Sequence, residues 1–406
     1  MFSFYKIFSS NIYMKNPKLD FKVCFLIILF IQVIGCSSIT FLNHKNVPSP
    51  GGIYPVGTRI FEWIDSSRTD IFVNKDDEFF RKIIVQIWYP GANVKNVNKK
   101  FSYFKNDEKT AAKLASHFSV PIFFVKSAVN LKTHALINIE PKIETTSYPL
   151  ILFSHGRGGY RHQNSIQCEE LASHGYIVVA VNHTYDSFLT IFEDGTSAPY
   201  LSQKSENEYD DLKSTLTTSE KLDMRVSDIE FVLEQLDSLV GNGSFFDIID
   251  MTKVGMFGHS FGGATTIALS NKNSRIIAAI GLDTWFIPLA DSILHQGMGI
   301  PFLHLGQHKW RGMPDNYRKM KTLMENSTAK FRHYAAYRMK HYDFTDGPQY
   351  ASSAKVLIPF FSWEDRSEMR AMLNNMILVY FDSYLKNIDK RSIDDTAGRF
   401  SKILVN

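Results

Sequence analysis

The sequence is poor in cysteine and carries little net charge for its length. Three of its 406 residues are cysteines, and its formal charge at pH 7 is +4. Cys24 and Cys36 belong to an N-terminal targeting pattern, so Cys168 is left without a disulfide partner and stability must come from the core. We predict that Cys168 is a small packed hydrophobe. The small charge and the absence of a basic stripe argue against a nucleic-acid partner.

Motifs for cofactors and metals are also missing. The 13 histidines are scattered, with no H-E-x-x-H pair and no Cys/His cluster. No glycine-rich dinucleotide fingerprint follows a predicted strand, and the phosphate-binding pattern G-x-x-x-x-G-K-[ST] is absent. We therefore expect a reaction that needs no cofactor and no metal.

The N-terminus has the pattern of an export signal. Lysines precede the short apolar run 23–31, which is too short to span a bilayer comfortably. The segment Val33-Ile-Gly-Cys36 that follows resembles a bacterial lipobox, in which the cysteine is lipidated and becomes the first residue of the mature chain. An uncleaved N-terminal anchor is the alternative.

This pattern predicts the cellular location of the protein. We expect residues 1–35 to be a lipoprotein signal peptide, with Met14 as a second possible start, and Cys36 to carry the lipid. Residues 36–52 would form the lipidated N-terminus and a tether. The protein would then be a membrane-anchored lipoprotein of a bacterial cell envelope, facing the periplasm or the surface.

Residues 53–406 are expected to form a single domain in which strands alternate with helices. Such alternation predicts the α/β class, with a mostly parallel central sheet, right-handed crossovers and helices on both faces. The predicted strands are 81–90, 150–153, 176–181, 253–257, 276–282, 301–305 and 331–339. The predicted helices are 163–174, 220–239 and 365–386.

Two segments interrupt this alternation. Residues 110–131 have a helical period that Pro121 breaks, and they are unusually apolar. They either pack on the domain or form a lid or membrane-facing surface beside the active site. Residues 190–218 are polar and predict an insertion.

The stretch Gly258-His-Ser-Phe-Gly262 follows an apolar run and precedes a segment that can continue as a helix. G-x-S-x-G in this context is the pattern of a nucleophile elbow, a tight strand-to-helix turn that strains the serine backbone. Glycine is needed on both sides of the serine because side chains there would collide with the neighbouring strand and helix. Ser260 is the predicted nucleophile.

A serine hydroxyl is a poor nucleophile at neutral pH, so it needs a base, and the base needs a carboxylate to orient it. In α/β-hydrolases the order along the chain is nucleophile, acid, histidine. Asp283 is the first acid at a predicted strand end after Ser260. Asp291, on a less strand-like segment, is the weaker candidate, and a helix or turn cap is the non-catalytic interpretation of Asp283.

The predicted base is His341, because it directly follows the last predicted strand. The remaining candidates lie inside that strand or before it, and we expect them to be structural or exposed: His304, His308 and His333.

The tetrahedral intermediate of acyl transfer needs backbone N–H donors aimed at its oxyanion. One donor is expected from Phe261, the residue after the nucleophile. The other is expected from the glycine-rich turn His155-Gly-Arg-Gly-Gly159, most plausibly from Arg157. We also expect His155, Trp285 and Phe286 to line the substrate pocket.

Four stretches together resemble the platelet-activating factor acetylhydrolase family, of the plasma and intracellular type II kind. They are 152–161, 171–183, 258–263 and 281–285, and the resemblance extends from about Arg81 to the last helix. It implies an α/β-hydrolase fold and a calcium-independent serine esterase acting on short or oxidised sn-2 acyl groups of phospholipids. It also implies Ser260 as nucleophile, Asp283 as acid and His341 as base, with the oxyanion hole formed by the N–H groups of Arg157 and Phe261.

The leading hypothesis is a lipid-anchored serine ester hydrolase whose substrate is a phospholipid or a similar small ester. Other activities on the same fold are a broad-specificity esterase or lipase, an acyltransferase, or a hydrolase of small peptides. A different class is a non-catalytic surface-binding lipoprotein on a hydrolase scaffold. The complete set of Ser260, Asp283 and His341 argues against this last interpretation.

Overall fold

A computed structural model describes most of the chain after residue 46. The described residues are 47–70, 80–92, 99–104, 112, 115–116, 122, 131–201, 216–310, 313–350, 361–388, 392–401 and 404–405. The chain divides into two compact units, Met1–Phe41 and Leu42–Asn406. The first unit lies outside the described residues, as do the predicted signal peptide and Cys36.

Thirteen strands are present in these ranges. They are β1 (Val56–Thr69), β2 (Phe80–Pro90), β3 (Lys100–Ser102), β4 (Lys132–Ile137), β5 (Tyr148–Ser154), β6 (Ile177–Asn182), β7 (Leu189–Ile191), β8 (Ser197–Pro199), β9 (Ile249–His259), β10 (Ile276–Leu282), β11 (Phe302–Gln307), β12 (Phe331–Ala336) and β13 (Leu404–Val405). The α-helices of the same ranges are α1 (Ser165–Ser173), α2 (Thr218–Leu239), α3 (Phe261–Lys272), α4 (Asp291–Gln296), α5 (Pro314–Asn326), α6 (Gly347–Tyr350), α7 (Arg366–Leu385) and α8 (Ile393–Arg399). Two 3₁₀ turns cover Phe245–Ile248 and His341–Phe344.

Eleven of these strands form one sheet, in the order β13-β12-β11-β10-β9-β5-β6-β2-β1-β4-β3. The six strands from β6 to β12 in this order are parallel to one another. β2 is antiparallel to both β1 and β6, and β13 is antiparallel to β12. The sheet is therefore mixed at its edges and parallel at its centre, as the alternation of elements predicts.

Helices cover both faces of the sheet. Along β5, Leu150 and Leu152 belong to one apolar core and Ile151 and Phe153 to the other, as the two-residue period of a strand requires. Helices α2 to α5 pack in the first core, while α1, α7 and α8 pack in the second. A strand that is buried on both faces has a nearly continuous run of apolar residues. The central strands can therefore be recognised in the sequence.

The predicted elements of the sheet centre are present, with shifts of a few residues at their ends. The strand predicted over 331–339 is not the last of the sheet, because β13 follows it and pairs beside β12. The long antiparallel strand β1 was not predicted. Most of its residues are half-buried or exposed, so its sequence lacks the apolar run that marks a central strand.

The end of the expected tether is held against the domain. Val47 is buried beside Ile166 of α1, and the N–H of Gly52 donates to Ser173 Oγ at 3.0 Å. Both ends of the stretch 47–52 therefore contact the domain, while 36–46 of the expected tether lie outside the described residues.

The two interrupting segments are described only in part. Most of 110–131, which was expected either to pack on the domain or to form a lid or membrane-facing surface, lies outside the described residues. Within 190–218, β7 and β8 form a small separate hairpin and α2 begins at Thr218, while 202–215 lie outside the described residues. Across the part of the chain that the structure describes, no helix combines the length and apolar character that a membrane span requires.

Candidate active site

The predicted site residues meet at one edge of the sheet. Ser260 directly follows β9, Asp283 directly follows β10, and the loop His155–Gly159 follows β5. His341 begins a 3₁₀ turn a few residues after β12. Because these four strands are parallel, their carboxyl ends open on the same edge, where ligands bind in such sheets.

Ser260 occupies a sharp, strained turn between β9 and α3. Its φ is 56° and its ψ is −114°, a conformation that non-glycine residues rarely adopt. A Cβ at Gly258 would lie 2.2 Å from the Gly262 carbonyl oxygen, and one at Gly262 would lie 1.9 Å from that of Ser154. Both glycines are therefore required sterically, as the elbow pattern predicts.

Asp283 is fully buried and its carboxylate is held by several donors. The backbone N–H of Gln307 donates to Oδ1 at 2.8 Å, and the Gln307 side-chain amide donates to Oδ2 at 2.9 Å. The indole N–H of Trp310 donates to Oδ1 at 2.9 Å. These contacts fix the carboxylate in one orientation. Neither Gln307 nor Trp310 was predicted as a site residue.

His341 is hydrogen-bonded to that carboxylate. The distance between His341 Nδ1 and Asp283 Oδ2 is 2.6 Å, and the His341 side chain is 26% exposed. With its Nδ1–H donated to Asp283, the neutral imidazole carries its lone pair on Nε2. The ring is therefore oriented as a base, with a face that solvent and substrate can reach.

Two neighbours keep the imidazole in place. Its ring lies 4.9 Å from the Trp310 ring and 4.5 Å from the ring of His259, the residue before the elbow serine. His259 Nε2 also lies 3.0 Å from the His341 carbonyl oxygen. Burial, with the nearby His341 second, holds the pKa of His259 well below its usual value, so His259 acts as a neutral donor. These contacts join the elbow to His341.

The alternative candidates lie elsewhere. Asp291 is exposed and pairs with Lys319 at 3.6 Å. His304 and His333 contact each other, with 2.9 Å between their Nδ1 atoms, and His308 is exposed. None of these histidines is hydrogen-bonded to the Asp283 carboxylate among the described residues.

The loop after β5 keeps one N–H group available beside the elbow. The N–H of Gly156 donates to Gln163 Oε1 at 2.8 Å, and that of Gly159 donates to the Gly156 carbonyl at 2.9 Å. By contrast, the N–H groups of Arg157 and Phe261 donate to no other described residue. A Cβ at Gly156 would lie 3.3 Å from Ser260 Cβ, so the loop passes directly over the serine.

Two of the three predicted pocket residues are not surface residues. His155 is fully buried behind the loop, and its Nε2 contacts Ser187 Oγ at 2.9 Å. Phe286 is fully buried and packs in the core with its ring 5.1 Å from that of His304. Trp285 is half-buried against Phe261 and remains a candidate for the pocket.

A second Ser–His–Asp array lies behind the site, and no sequence motif indicates it because its members are far apart along the chain. Ser154 Oγ lies 2.9 Å from His183 Nε2, and His183 Nδ1 lies 3.0 Å from Asp228 Oδ2. All three residues are fully buried. Arg81 donates to both oxygens of Asp228, at 2.6 and 2.8 Å. We call this set the buried array.

Charge in the buried array is fixed by its surroundings. Burial, with the Arg225 charge second, lowers the pKa of His183 to about 4. Burial by itself would raise the pKa of Asp228, but the hydrogen-bonded Arg81 guanidinium brings it below its usual range. The array therefore contains a neutral imidazole and an ionised carboxylate paired with arginine. Within the described ranges, the buried array included, no three His, Cys, Asp or Glu side chains are grouped as metal ligands.

Comparison with solved structures supports the fold. A ferulic acid esterase from Streptomyces cinnamoneus superposes with a TM-score of 0.68, covering 86% of this chain and 97% of that one at 24% identity. At this level of sequence identity the similarity shows only a shared fold, which is the α/β-hydrolase fold.

Comparison of sequences identifies the family. A model described as platelet-activating factor acetylhydrolase, isoform II, matches residues 39–348. The platelet-activating factor acetylhydrolase of Gallus gallus is 30% identical over 208 residues, which are 45% of this chain and 49% of the relative. A probable 1-alkyl-2-acetylglycerophosphocholine esterase of Arthroderma benhamiae is 24% identical over 58% of each chain. The chain spans about half the length of the curated relatives it matches. It belongs to the platelet-activating factor acetylhydrolase, isoform II, family.

Proposed function

We propose that the chain is a serine carboxylic ester hydrolase with Ser260 as nucleophile, His341 as base and Asp283 as the orienting acid. The observation that carries the proposal is the 2.6 Å contact between His341 Nδ1 and Asp283 Oδ2, at the sheet edge where the strained Ser260 stands. Family membership and the esterase names of the relatives support the same activity.

The reaction proceeds through an acyl-enzyme. His341 Nε2 takes the proton of Ser260 Oγ as the oxygen attacks the acyl carbon of the ester. The negative charge that develops on the carbonyl oxygen is stabilised by the N–H groups of Arg157 and Phe261. The tetrahedral intermediate collapses when the C–O bond of the alcohol breaks, and His341 gives its proton to the departing alcohol. Water then attacks the acyl-enzyme by the same route and releases the acid.

Asp283 acts by holding His341 rather than by accepting its proton. Its carboxylate stabilises the imidazolium that forms during attack. The donors from Gln307 and Trp310 keep the carboxylate aligned, so no solvent or side-chain reorganisation is needed as the imidazolium forms.

The site entrance favours a substrate that bears an anion, such as the phosphate of a phospholipid. Arg157 Nε donates to the Tyr200 hydroxyl at 2.6 Å, and its guanidinium carbon lies 5.8 Å from the centre of the Trp285 ring. Its terminal nitrogens donate to no described residue. The buried Lys221 ammonium lies 5.7 Å from the Tyr200 ring and donates to the Leu201 carbonyl at 2.7 Å, and the nearby Asp186 is paired with Arg225. The Arg157 guanidinium therefore remains beside the partly exposed Trp285 and attracts negative charge.

Hydrolysis by matched serine variants tests the activity. Purified protein is expected to hydrolyse p-nitrophenyl acetate, and Ser260→Ala is expected to lose about 10⁶-fold in kcat. Ser154→Ala, which removes the hydroxyl of the buried array, is the matched control and should keep most of the activity. Equal hydrolysis by wild type and Ser260→Ala would refute the proposal.

A second comparison tests the substrate class. A glycerophospholipid with an sn-2 acetyl group and p-nitrophenyl acetate share the acyl group, but the phospholipid also carries phosphate. Arg157→Gln keeps the backbone N–H and is expected to lower the ratio of kcat/KM for phospholipid over p-nitrophenyl ester about tenfold. Lys272→Gln, which alters a surface cation on α3, should leave that ratio unchanged. An unchanged ratio for Arg157→Gln argues for a neutral substrate.

We also propose that Cys36 carries a lipid that anchors the protein to a membrane of the cell envelope. The lipobox-like segment that ends at Cys36 supports this. Cys36→Ala is expected to move the protein from the membrane fraction to the soluble fraction, whereas Cys24→Ala, inside the apolar run, should not. Continued membrane association of Cys36→Ala would favour an uncleaved N-terminal anchor or adhesion through 110–131.

A further inference from the structure

We propose that Arg225 is the positioning residue of the oxyanion hole and that it holds both of the predicted N–H donors. This inference rests on the proposed function, because it assigns a role within the same reaction. Arg225 lies on α2, is fully buried, and is distant in sequence from both donors.

Arg225 fixes the peptide that carries the first donor. Its terminal nitrogens donate to the carbonyl of His155 at 2.6 Å and to the carbonyl of Gly156 at 3.2 Å. The Gly156 carbonyl and the Arg157 N–H belong to one planar trans peptide and point in opposite directions. Binding the carbonyl from behind therefore sets the direction of the N–H in front. The cationic donor also polarises the peptide, which strengthens the N–H as a donor to an oxyanion.

The same guanidinium contacts the residue of the second donor. Its central carbon lies 4.6 Å from the centre of the Phe261 ring, within the range of a cation–π contact. Phe261 is fully buried and begins α3, so its N–H points out of the helix start beside Ser260. One side chain thus touches both halves of the oxyanion hole and sets their separation.

Asp186 holds Arg225 in turn. Its Oδ2 accepts from Arg225 Nε at 2.5 Å, and its backbone carbonyl accepts from the N–H of Gly158 at 3.0 Å. The loop is therefore hydrogen-bonded on both sides of Arg157, at Gly156 and at Gly158. A buried guanidinium with a carboxylate on one edge and two carbonyls on the other uses the fork geometry of arginine, which a lysine ammonium cannot reproduce.

Kinetics of Arg225 variants test this role. Arg225→Met is expected to lower kcat for p-nitrophenyl acetate about 10²-fold while KM changes little, because loss of one aligned oxyanion donor has this size of effect. The inhibition constant of a trifluoromethyl ketone, which forms an oxyanion on Ser260, should rise by the same factor. Arg225→Lys keeps the charge without the fork and should recover only part of kcat.

Arg81→Met is the matched control. Arg81 is another buried guanidinium paired with an aspartate, but it contacts neither Gly156 nor Phe261. The Arg81→Met variant is expected to be less stable to urea than wild type, without a comparable fall in kcat. If Arg225→Met does not fold, the neutral pair Arg225→Gln/Asp186→Asn provides the same test without an unpaired charge.

Two results would overturn the inference. Folded Arg225 variants that keep the wild-type kcat and inhibition constant would show that the guanidinium does not position the donors. An equal loss of kcat in Arg81→Met would show a general effect of removing buried arginines. In either case wild type still shows Ser260-dependent hydrolysis, so the proposed function stands. If wild type lacks that hydrolysis, the proposed function fails and the inference fails with it.

Discussion

The described part of the molecule contains two Ser–His–Asp arrays, which have the same residue types but different surroundings. In the site array, Ser260 is strained at the elbow and the His341 side chain is 26% exposed. In the buried array, Ser154 lies within β5 and His183 is fully buried. A nucleophile needs access to substrate and a base that can accept a proton, and the buried array has neither.

The carboxylates differ as well. Asp283 is surrounded by neutral donors, from Gln307 and Trp310, so its charge remains available to an imidazolium. Asp228 is bonded by the Arg81 guanidinium on both oxygens, so its charge is already compensated. We therefore expect the site array to serve chemistry and the buried array to serve stability. Replacing matched members of the two arrays tests this division.

The largest contrast is expected between the two histidines. His341→Ala should lower kcat/KM for p-nitrophenyl acetate by about 10⁶-fold, as loss of the base does in serine hydrolases, with little change in urea stability. His183→Ala should show the opposite pattern, because it leaves a cavity in the interior and removes one hydrogen bond from each of the buried Ser154 and Asp228. Hydrolysis rates and urea unfolding of both variants measure this contrast. Equal losses of activity and of stability in the two variants would contradict the division of roles between the arrays.

The two aspartates should differ in the same sense. Asp283→Asn is expected to lower kcat about 10⁴-fold, because an amide no longer holds His341 in the required tautomer. Asp228→Asn is expected to lower the free energy of unfolding by about 3–5 kcal/mol, because it leaves the buried Arg81 charge uncompensated. Enzyme assays and urea titrations check both values. A stability loss in Asp283→Asn as large as that in Asp228→Asn would contradict the assignment.

The smallest effect is a difference in pH dependence. Burial, with the Arg225 charge second, lowers the pKa of His183 to about 4 in the folded protein, whereas in the unfolded chain this pKa has its ordinary value of 6.5. The unfolded state thus binds more protons between these values, and the free energy of unfolding decreases as pH falls, by at most about 1.4 kcal/mol per pH unit from this residue. The depressed pKa of Asp228 adds pH dependence only at lower pH.

Urea unfolding of wild type and His183→Gln at pH 7, 6 and 5 measures this contribution. Wild type should lose more stability than the variant as pH falls, because glutamine takes up no proton in either state. Taking the difference between the two proteins removes the contributions of the other buried histidines. Parallel pH dependences would mean that His183 titrates alike in both states.

The local parts of the site could be predicted from sequence. The elbow at Ser260 depends on neighbours within five residues, and Asp283 follows a strand that reads as one apolar run. What could not be predicted is set by the order of strands in the sheet. Trp310 and Arg225 come from elements that meet the site only once the sheet has formed.

The wrong pocket predictions have a related cause. His155 and Phe286 are close in sequence to site residues, but adjacent side chains at a strand end point in different directions. His155 turns behind its loop, and Phe286 turns into the core. Proximity in the sequence therefore identifies the loops at the site but does not show which of their side chains line the pocket.

Covalent labelling tests the central claim most directly. Wild-type protein treated with a fluorophosphonate probe and digested is expected to carry the label on the peptide that contains Ser260 and not on the peptide that contains Ser154. No label on folded protein, or label on Ser154, would contradict the account.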